Sequence, residues 1–412
     1  MRVYPRVTLG EIVEINPGLP KGIRPNEDAP LSFVPMAAVC AHAGAIVNSE
    51  TRLFKEVSKG FTLFVDRDVL FAKITPCMEN GKAAIARDLL SGQGAGSTEF
   101  FVLRTTSVVL PEFIYYFIRR PSFRAACKAN FTGSAGQQRV PKSYLEKVQL
   151  ILPPLDEQRR IVTLLDRAAE IRLRAEAARA KARAIIPALF LDTFGDPTTN
   201  PMGWPTLPLA EVADIGSGIT KGRRLNGQAT ASAPYLRVAN VQDGYLDLRD
   251  MKEIEVTPAD FTRYALRPGD LLMTEGGDPD KLGRCAIWRG AIGGCLHQNH
   301  IFRVRVSQKL LPAYTASLIQ SPYGKSYFLR VAKRTTGIAT INKRQLGGFP
   351  VLIPRLNLQI DFAERVQRIE LLVRSFDTAA AKAAAMAAAL SAEIFDFPPL
   401  QGNSHAGSET RE

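Results

Sequence analysis

Two stretches of the 412-residue chain carry apolar residues at alternating spacings of four and three, the heptad pattern of a left-handed coiled coil. In the second stretch this seam consists of Phe362, Val366, Ile369, Val373, Phe376, Ala380, Ala383, Ala387, Leu390 and Ile394. In the first it consists of Leu164, Ala168, Ile171, Ala175, Ala178, Ala182, Ile185 and Leu189. We predict two long helices that pair antiparallel, with a kink at Pro187.

The segments around these helices show short apolar runs of the kind found in β-strands, and the pattern predicts a mixed α+β fold. The first segment contains the runs "AIVNSE", "DVLFAKI" and "EFFVLR", and the second contains "DLLMTE", "RCAIWRG" and "HIFRVRV". Each segment then carries one predicted amphipathic helix, Leu110–Asn130 or Leu311–Lys333. A glycine-containing loop follows each helix, at Thr132–Val140 and Thr336–Asn342.

The sequence contains an internal duplication. Pro153, Leu155 and Gln158 correspond to Pro354, Leu356 and Gln359, and Phe194 corresponds to Phe395. The distance along the chain between corresponding residues, such as Pro153 and Pro354, far exceeds the roughly 20–50 residues of solenoid repeats. The duplication therefore indicates two whole domains and two linking elements. We expect two homologous mixed α/β domains joined by two long antiparallel coiled-coil helices in a pseudo-twofold duplication. The expected parts are residues 1–152 (first domain), 153–196 (first helix), 197–353 (second domain), 354–398 (second helix) and 399–412 (disordered tail).

The formal net charge of +13 bears on binding partners. Nucleic acid is the first candidate and an anionic membrane surface the second. The sequence shows no apolar run of 18 residues and no secretion signal, so we expect a cytoplasmic protein that does not engage a membrane. The five cysteines form no CxxC pair, and their odd number argues against a disulfide framework.

Motifs for catalysis are absent from the sequence. It has no P-loop, no dinucleotide-binding glycine pattern and no motif for S-adenosylmethionine or for nuclease chemistry. Cys285, Cys295, His297 and His300 have residue types that bind zinc, but the wide cysteine spacing favours a buried thiol pair instead. We therefore expect no catalytic residue, no metal site and no cofactor in this chain.

Polar and basic residues at the ends of predicted strands are the better candidates for function. DNA readers use Arg and Lys for phosphates and guanine edges, and Asn and Gln for adenine edges. Any surface loop is polar, but the recurrence of this mix at corresponding places in both halves favours DNA binding. The predicted DNA-binding residues are Lys73, Thr75, Asn80, Lys82, Gln137, Gln138, Arg139, Thr274, Lys281, Arg284, Asn299, His300, Thr336, Asn342, Lys343 and Arg344.

The motifs "ILPPLDEQRRIVTLLD" and "LIPRLNLQIDFAERV", each opening a long helix, resemble those of the specificity subunit of type I restriction–modification systems. "DVLFAKITPCMENGKAAI" and "GDLLMTEGGDPDKLGRCAIW" resemble the core strands of target recognition domains in that family. The second junction departs from the pattern, because Leu358 stands where the first has Glu157.

The resemblance implies two target recognition domains, each reading one half of a bipartite asymmetric site in double-stranded DNA. It also implies that the long helices act as a spacer and dock two modification subunits and, where the system has them, restriction subunits. Methyl transfer with S-adenosylmethionine, and cleavage with ATP and Mg²⁺, would belong to those partners.

Two other readings stay open at this stage. One is a DNA methyltransferase or nuclease with an unrecognised active site, which would modify or cut DNA without a partner. The other is a non-catalytic protein-binding scaffold with two β domains on a coiled coil. Binding to random duplex DNA at two salt concentrations separates the scaffold from a DNA binder, because phosphate contacts give a steep salt dependence.

Overall fold

The structure, a computed structural model, describes residues 4–395 except residues 135, 223–228, 279–280 and 336. It divides into two compact units. Unit 1 comprises the residues up to Ala175 together with those from Thr378 onward, and unit 2 comprises Glu176–Asp377. This division passes through both long helices, so the boundaries expected after residues 152, 196, 353 and 398 stay predictions. The expected disordered tail, residues 399–412, lies outside the described residues.

Unit 1 combines small sheets with short helices. Its strands are β1 (Arg6–Thr8), β2 (Val13–Ile15), β3 (Pro30–Val34), β4 (Val39–Cys40), β5 (Ala45–Ile46), β6 (Glu50–Leu53), β7 (Thr62–Val65), β8 (Val69–Ala72), β9 (Ala83–Ile85), β10 (Gln93–Gly96), β11 (Phe100–Thr105) and β12 (Gln149–Ile151). Its helices are α1 (Leu9–Ile12), α2 (Phe54–Val57), α3 (Pro111–Arg119), α4 (Pro121–Ala129), α5 (Lys142–Lys147) and the first part of α6 (Leu155–Phe194). The two four-stranded sheets have the orders β2-β11-β8-β9 and β6-β3-β10-β7, and β1 pairs with β12.

Unit 2 repeats this plan. Its strands are β13 (Thr206–Pro208), β14 (Ala213–Ser217), β15 (Ala231–Leu236), β16 (Lys252–Val256), β17 (Leu271–Thr274), β18 (Gly276–Gly277), β19 (Cys285–Ile287), β20 (Leu296–His297), β21 (Ile301–Val306), β22 (Lys333–Thr335), β23 (Ile338–Thr340) and β24 (Pro350–Leu352). Its helices are α7 (Leu209–Val212), α8 (Pro258–Tyr264), α9 (Pro312–Gln320), α10 (Pro322–Val331), α11 (Lys343–Gly347) and the first part of α12 (Leu356–Phe395). The sheet orders are β14-β21-β17-β19, β16-β15-β20 and β18-β23-β22, and β13 pairs with β24. The chain therefore has an α+β fold.

The central strands β8 and β17 carry uninterrupted apolar runs because both of their faces are covered. In β8, Val69 and Phe71 join one core, while Leu70 and Ala72 join another on the opposite face. In β17, Leu271 and Met273 join one core and Leu272 joins a second. Successive side chains of a strand point to opposite faces, so a continuous apolar run is what a strand between two cores requires.

The single amphipathic helix predicted in each half is wrong. Each segment instead forms two short helices, α3 and α4 in unit 1 and α9 and α10 in unit 2. Proline lacks the N–H that continues a helix and pushes the residue before it into an extended conformation. Arg120 before Pro121 has ψ of 141°, and Ser321 before Pro322 has ψ of 162°. The prolines Pro121 and Pro322 therefore break the helix at corresponding places.

The two long helices are confirmed, each with 40 residues. Helix α6 continues through Pro187, and its kink stays a prediction. Within unit 2 the helices run antiparallel, because Arg179 pairs with Asp377 at 3.2 Å while the ring of Phe190, further along α6, meets that of Phe362 near the start of α12. The predicted seam of α12 holds as well, since every one of its positions is buried or half-buried.

The predicted seam of α6 is wrong at three positions. Leu164, Ile171 and Ile185 are exposed. The buried and half-buried heptad positions are instead Ile161, Leu165, Ala168, Arg172, Ala175, Arg179, Ala182, Ile186 and Leu189. Arginines occupy two of these positions, because a long side chain can cover apolar surface with its methylene groups while its head stays polar. A pattern that counts only apolar residues therefore selects the neighbouring isoleucine.

The corresponding glutamines of the two junctions clamp each long helix to its unit. Gln158 accepts a hydrogen bond from Leu110 N–H at 2.9 Å and donates to the carbonyls of Val108 and Pro153 at 3.0 and 2.8 Å. Its side chain is fully buried. The amide satisfies three backbone groups, among them the buried carbonyl of Pro153, which explains a glutamine at this position.

Gln359 makes the same set of bonds in unit 2. It accepts from Leu311 N–H at 2.8 Å and donates to the carbonyls of Lys309 and Pro354 at 3.1 and 2.9 Å. The clamp survives although Leu358 replaces the acidic residue of the first junction. The departure of the second motif from the family pattern therefore leaves the structural role of its glutamine intact.

The far end of each long helix packs into a core. Phe395, at the end of α12, lies against Phe113 in unit 1 with ring centroids 4.9 Å apart. Phe194, at the end of α6, lies against Tyr314 in unit 2 at 4.7 Å. Helix α12 begins in unit 2, and its last residue, Phe395, packs in unit 1. Helix α6 begins in unit 1, and its last residue, Phe194, packs in unit 2.

Candidate nucleic-acid interface

Three charged residues meet at the end of β8 in unit 1, and we name Lys73, Glu99 and Arg139 the first triad. The chain leaves β8 at Lys73, whose N–H donates to the carbonyl of Glu99 at 2.9 Å. The N–H of Val140 donates to the carbonyl of Lys73 at 2.9 Å, which brings the glycine-containing loop alongside. Backbone bonds thus fix all three positions independently of their side chains.

An ion pair organises the side chains of the first triad. Arg139 donates to Glu99 from Nε at 2.9 Å and from Nη2 at 2.7 Å. These bonds lower the pKa of the Glu99 carboxyl, and the nearby charge of Lys73 adds to the effect. The same pairing raises the pKa of Arg139. The ammonium group of Lys73 lies over the ring of Phe101, 5.4 Å from its centroid. The triad carries more positive than negative charge, as a site facing phosphates and acceptor-rich base edges would need.

Unit 2 builds the same backbone frame with different side chains, and we name Glu275, His300 and Thr340 the second triad. The N–H of Glu275 donates to the carbonyl of His300 at 3.0 Å, and the N–H of Ile341 donates to the carbonyl of Glu275 at 2.9 Å. Thr340 pairs with Gly276 in the sheet, as Arg139 pairs with Ile74 in unit 1. The Glu275 carboxylate lies 2.7 Å from Nδ1 of His300. An acid therefore stands where unit 1 has a lysine, and an imidazole where unit 1 has an acid.

The structure brings most of the other predicted residues of unit 1 close to the first triad. Thr75 N–H donates to the carbonyl of Gln138 at 3.0 Å, and the Thr75 hydroxyl bonds to Glu79. The carbonyl of Gln137 accepts from Arg139 Nη1 at 2.9 Å. Asn80 is exposed in the turn after β8. Lys82 is half-buried, and its Nζ donates to the carbonyl of Met36 at 2.7 Å, so its charge is partly used within the fold.

The predicted residues of unit 2 fall into separate groups. Asn299 lies beside the second triad, with its amide 3.4 Å from His300 Nε2. Asn342 caps α11, where its side chain accepts from Gln345 N–H, and Lys343 and Arg344 follow along a shallow groove that also contains Asp214. Lys281 pairs with Asp278, and Arg284 donates to Gln242 at 3.3 Å. These last two contacts involve neither Glu275 nor His300.

One prediction for unit 2 is wrong and another lies outside the described residues. Thr274 is only 3% exposed, because it closes the buried strand β17 and its side chain belongs to the interior. It cannot contact DNA in this conformation. Thr336 is among the residues that the structure does not describe.

Sequence reasoning left three triad residues out of the predicted set. Glu99, Glu275 and Thr340 are acidic or neutral, and a search for basic and amide groups passes over them. Glu99 corresponds to His300 in the internal repeat, and Lys73 corresponds to Glu275. Comparison of the two halves position by position at the strand ends would have found all three.

The histidine and cysteines near the second triad are buried groups of the fold. Burial raises the pKa of the Cys285 and Cys295 thiols to about 12, so both stay protonated near neutral pH. His297 is 1% exposed, and neither ring nitrogen has a hydrogen-bond partner within the described part of the chain. Among the described residues, no three His, Cys, Asp or Glu side chains are grouped as a metal ion would require.

Comparison with known proteins shows which proteins this chain is similar to. Residues 4–180 match the type I restriction modification DNA specificity domain. The chain is 40% identical over 157 residues to the specificity subunit of the type I restriction enzyme EcoEI of Escherichia coli. This chain is a relative of type I restriction–modification specificity subunits. The match to the EcoEI subunit covers 38% of this chain and 26% of that protein, so this chain spans about a quarter of its relative's length.

A second relative and a solved structure match more of the chain. The EcoKI specificity subunit of Escherichia coli strain K12 is 26% identical over 298 residues, which cover 67% of this chain and 61% of that protein. A chain from a structural study of complex assembly and conformational transition in a type I system superposes with a TM-score of 0.56 and 21% identity. It covers 95% of this chain and 97% of its own length. At this identity the likeness shows the fold.

Proposed function

We propose that this chain is the sequence-specific DNA-binding subunit of a type I restriction–modification complex and reads a bipartite, asymmetric site. The observation that carries the proposal is the pair of triads, in which one backbone frame holds Lys, Glu and Arg in unit 1 but Glu, His and Thr in unit 2. Two domains with the same backbone arrangement but different side chains at the triads suit a DNA site whose halves differ in sequence. Loops at strand ends enter the major groove, where every base pair presents a distinct pattern of donors and acceptors.

The chain is, in this proposal, an internal duplication of two homologous target recognition domains joined by an antiparallel coiled coil. The matching order of one four-stranded sheet in each unit supports it, as do the matching clamps of Gln158 and Gln359. A duplicated protein with pseudo-twofold symmetry offers two equivalent surfaces to two copies of a partner. The long helices would then serve both as the spacer between half-sites and as the place where partners dock.

Exposed apolar side chains at corresponding positions of the helices support docking of two modification subunits. In unit 1, Ile171 is 47% exposed and Met386 is 72% exposed. In unit 2 the corresponding residues Leu372 and Ile185 are 55% and 52% exposed. Apolar surface that a fold leaves in water at matched places is typical of protein interfaces. Restriction subunits, where the system has them, would join through the modification subunits.

The chain itself would be non-catalytic. We propose that it binds no cofactor, and that S-adenosylmethionine, ATP and Mg²⁺ act in the partner subunits. The first triad suits recognition better than hydrolysis, because the ion pair with Arg139 keeps Glu99 ionised and engaged. Purified chain incubated with S-adenosylmethionine, Mg²⁺ and DNA should give no product, and turnover without any partner would contradict this part of the proposal.

We further propose a cytoplasmic location. Helix α12 is long and apolar enough to cross a membrane by length and composition alone, although it contains no uninterrupted apolar run of 18 residues. Its first turns and its last residue pack in protein cores, through Phe362 and Phe395. A membrane span would have to withdraw both rings from those cores.

The proposal is tested by binding of the chain, assembled with its modification subunits, to duplex DNA. Random DNA measured between about 50 and 200 mM salt should show a steep loss of affinity from released counterions. Methylation mapping in cells that carry both proteins should return one motif of two short halves separated by a fixed spacer. Salt-independent binding, or a single uninterrupted motif, would contradict the proposal.

A further inference from the structure

The Arg139 side chain is held in a way that leaves part of its hydrogen-bonding edge free. A guanidinium carries five N–H donors. Glu99 takes one from Nε and one from Nη2, and the carbonyl of Gln137 takes one from Nη1. One N–H therefore remains on each terminal nitrogen, and the side chain is 39% exposed. A guanidinium with free donors on its two terminal nitrogens can pair with the two acceptors of a guanine in the major groove.

The clamp on Arg139 also lowers the cost of binding. A free arginine side chain loses rotamer freedom when it docks, which weakens the net interaction. The two hydrogen bonds that Arg139 donates to Glu99, and the one it donates to the carbonyl of Gln137, already fix the plane of this guanidinium. The arrangement thus presents a rigid, pre-oriented donor pair.

The second triad presents the opposite polarity on the same frame. Glu275 is 35% exposed, and its Oε2 lies 2.7 Å from Nδ1 of His300. No hydrogen bond from the described residues reaches its Oε1. A carboxylate oxygen in this state is an acceptor, and the base edge that offers it a donor without an adjacent acceptor is the amino group of cytosine. Thr340, in the place of Arg139, adds no competing positive charge.

We propose that the triads are the reading groups of the two half-sites: Arg139, positioned by Glu99, reads a guanine for unit 1, and Glu275, positioned by His300, reads a cytosine for unit 2. This inference rests on the proposed function and adds the identity of the residues and the class of base. The DNA site is then asymmetric because the same backbone frame carries donor groups in unit 1 and acceptor groups in unit 2.

The triads are suitable for substitution because the side chains of Arg139 and Glu275 are 39% and 35% exposed. Exposed ion pairs contribute about 0–1 kcal/mol to stability. Loss of Arg139 or Glu275 should therefore leave the fold intact, and any change in specificity can be assigned to recognition. The pair Arg52 and Glu50, on β6 of the same unit, is a matched control because it also joins an exposed arginine to a glutamate, at 2.7 Å.

The test uses the full chain assembled with its modification subunits and a library of duplexes with randomised half-sites. Arg139→Lys should relax discrimination at one base of the half-site of unit 1 by about tenfold or more, because a bidentate contact becomes a single one. The other half-site should be unchanged. Glu275→Gln should relax one base of the half-site of unit 2 only. Arg52→Lys should change neither half.

Glu99→Gln tests the positioning role. It should relax the same base as Arg139→Lys, which a merely structural role for Glu99 would not do. Uniform weakening over all sequences by Arg139→Lys would show a phosphate contact and overturn the proposal, and so would unchanged specificity. In either case a wild-type complex with an intact bipartite motif would leave the proposed function standing. A wild-type complex without sequence preference would overturn the proposed function itself.

Discussion

The residues that hold each unit together internally make the same bonds in both units, whereas the residues at their strand ends differ in charge. Arg104 donates two hydrogen bonds to the carboxylate of Asp68 in unit 1, and Arg305 donates two to that of Asp270 in unit 2, at 2.6–2.8 Å. Both aspartates are buried. On the same scaffolds, Lys73 and Glu275 occupy one backbone position with opposite charges. The fold therefore constrains buried polar groups tightly, since they must be satisfied, and leaves the side chains at the exposed strand ends free to vary.

The largest effect should come from the aromatic residues that end the long helices. Phe395→Ala should destabilise unit 1 and Phe194→Ala should destabilise unit 2, each by about 3–5 kcal/mol, because each removes a nearly fully buried ring. Hydrogen exchange of peptides from both units would measure the loss. If Phe395→Ala loosened unit 2 rather than unit 1, the assignment of helix ends to cores would be wrong.

The next effect concerns the glutamine clamps. Gln158→Ala and Gln359→Ala should each cost about 3 kcal/mol, since each leaves three backbone groups without their side-chain partner, including the buried carbonyl of Pro153 or Pro354. Chemical denaturation of each variant measures the change, with Arg159→Ala as an exposed neighbouring control. Equal losses are expected at both sites. A loss at Gln158 alone would mean that the second junction works differently, in spite of its matching bonds.

A pH effect should separate the units. Burial lowers the pKa of His297 to about 4, and the charge of Arg303 adds to the shift. The ordinary pKa is 6.5, so below pH 6.5 the unfolded chain takes up a proton that the folded chain refuses until about pH 4. The stability due to neutral His297 is complete above pH 6.5 and falls as the pH drops, by about 2–3 kcal/mol at pH 4.5.

This loss should appear in unit 2 alone. Gly96 pairs with Val34 in unit 1 as His297 pairs with Leu236 in unit 2, and a side chain at Gly96 would meet the carbonyl oxygen of Val34 at 2.6 Å. Hydrogen exchange at pH 7 and pH 4.5 would measure it. His297→Leu should abolish the loss, and His300→Gln, which changes an exposed histidine, should retain it. Equal acid sensitivity of both units would contradict the assignment.

The smallest effect on stability, and the sharpest on assembly, is expected at the exposed apolar helix residues. Ile171→Ser and Leu372→Ser should change the free energy of unfolding by less than about 0.5 kcal/mol, because both side chains already face water. Each should remove one of two bound modification subunits, as counted by native mass spectrometry. Full assembly with both variants combined would show that this face does not dock the partner.

Much of the fold was predictable because it follows from periodicity and punctuation. The two long helices were expected, since heptad spacing persists over many turns between prolines. The helix breaks at Pro121 and Pro322 were predictable too. The prediction of one helix in each half was wrong because it followed the amphipathic pattern and disregarded the proline. The seam of α6 was harder, because Arg172 and Arg179 cover apolar surface with their stems and no apolar count finds them.

The candidate site was predictable only in outline. Lys73 and Arg139 were expected as DNA-binding residues, but their junction with Glu99 depends on backbone bonds between segments far apart in sequence. Thr274 was misjudged because a polar residue at the end of an apolar run can still be buried, here at 3% exposure. The internal repeat predicts the positions of the site better than residue charge does, since it identifies each position by its place in the backbone frame.

The central claim is that each unit reads one half of an asymmetric DNA site. It is tested most directly by replacing residues 1–152 with those of a related subunit and mapping methylated sites in cells that also carry the modification subunit. The account predicts that one half of the motif changes, while the other half and the spacer stay the same. A change in both halves, or in neither, would contradict it.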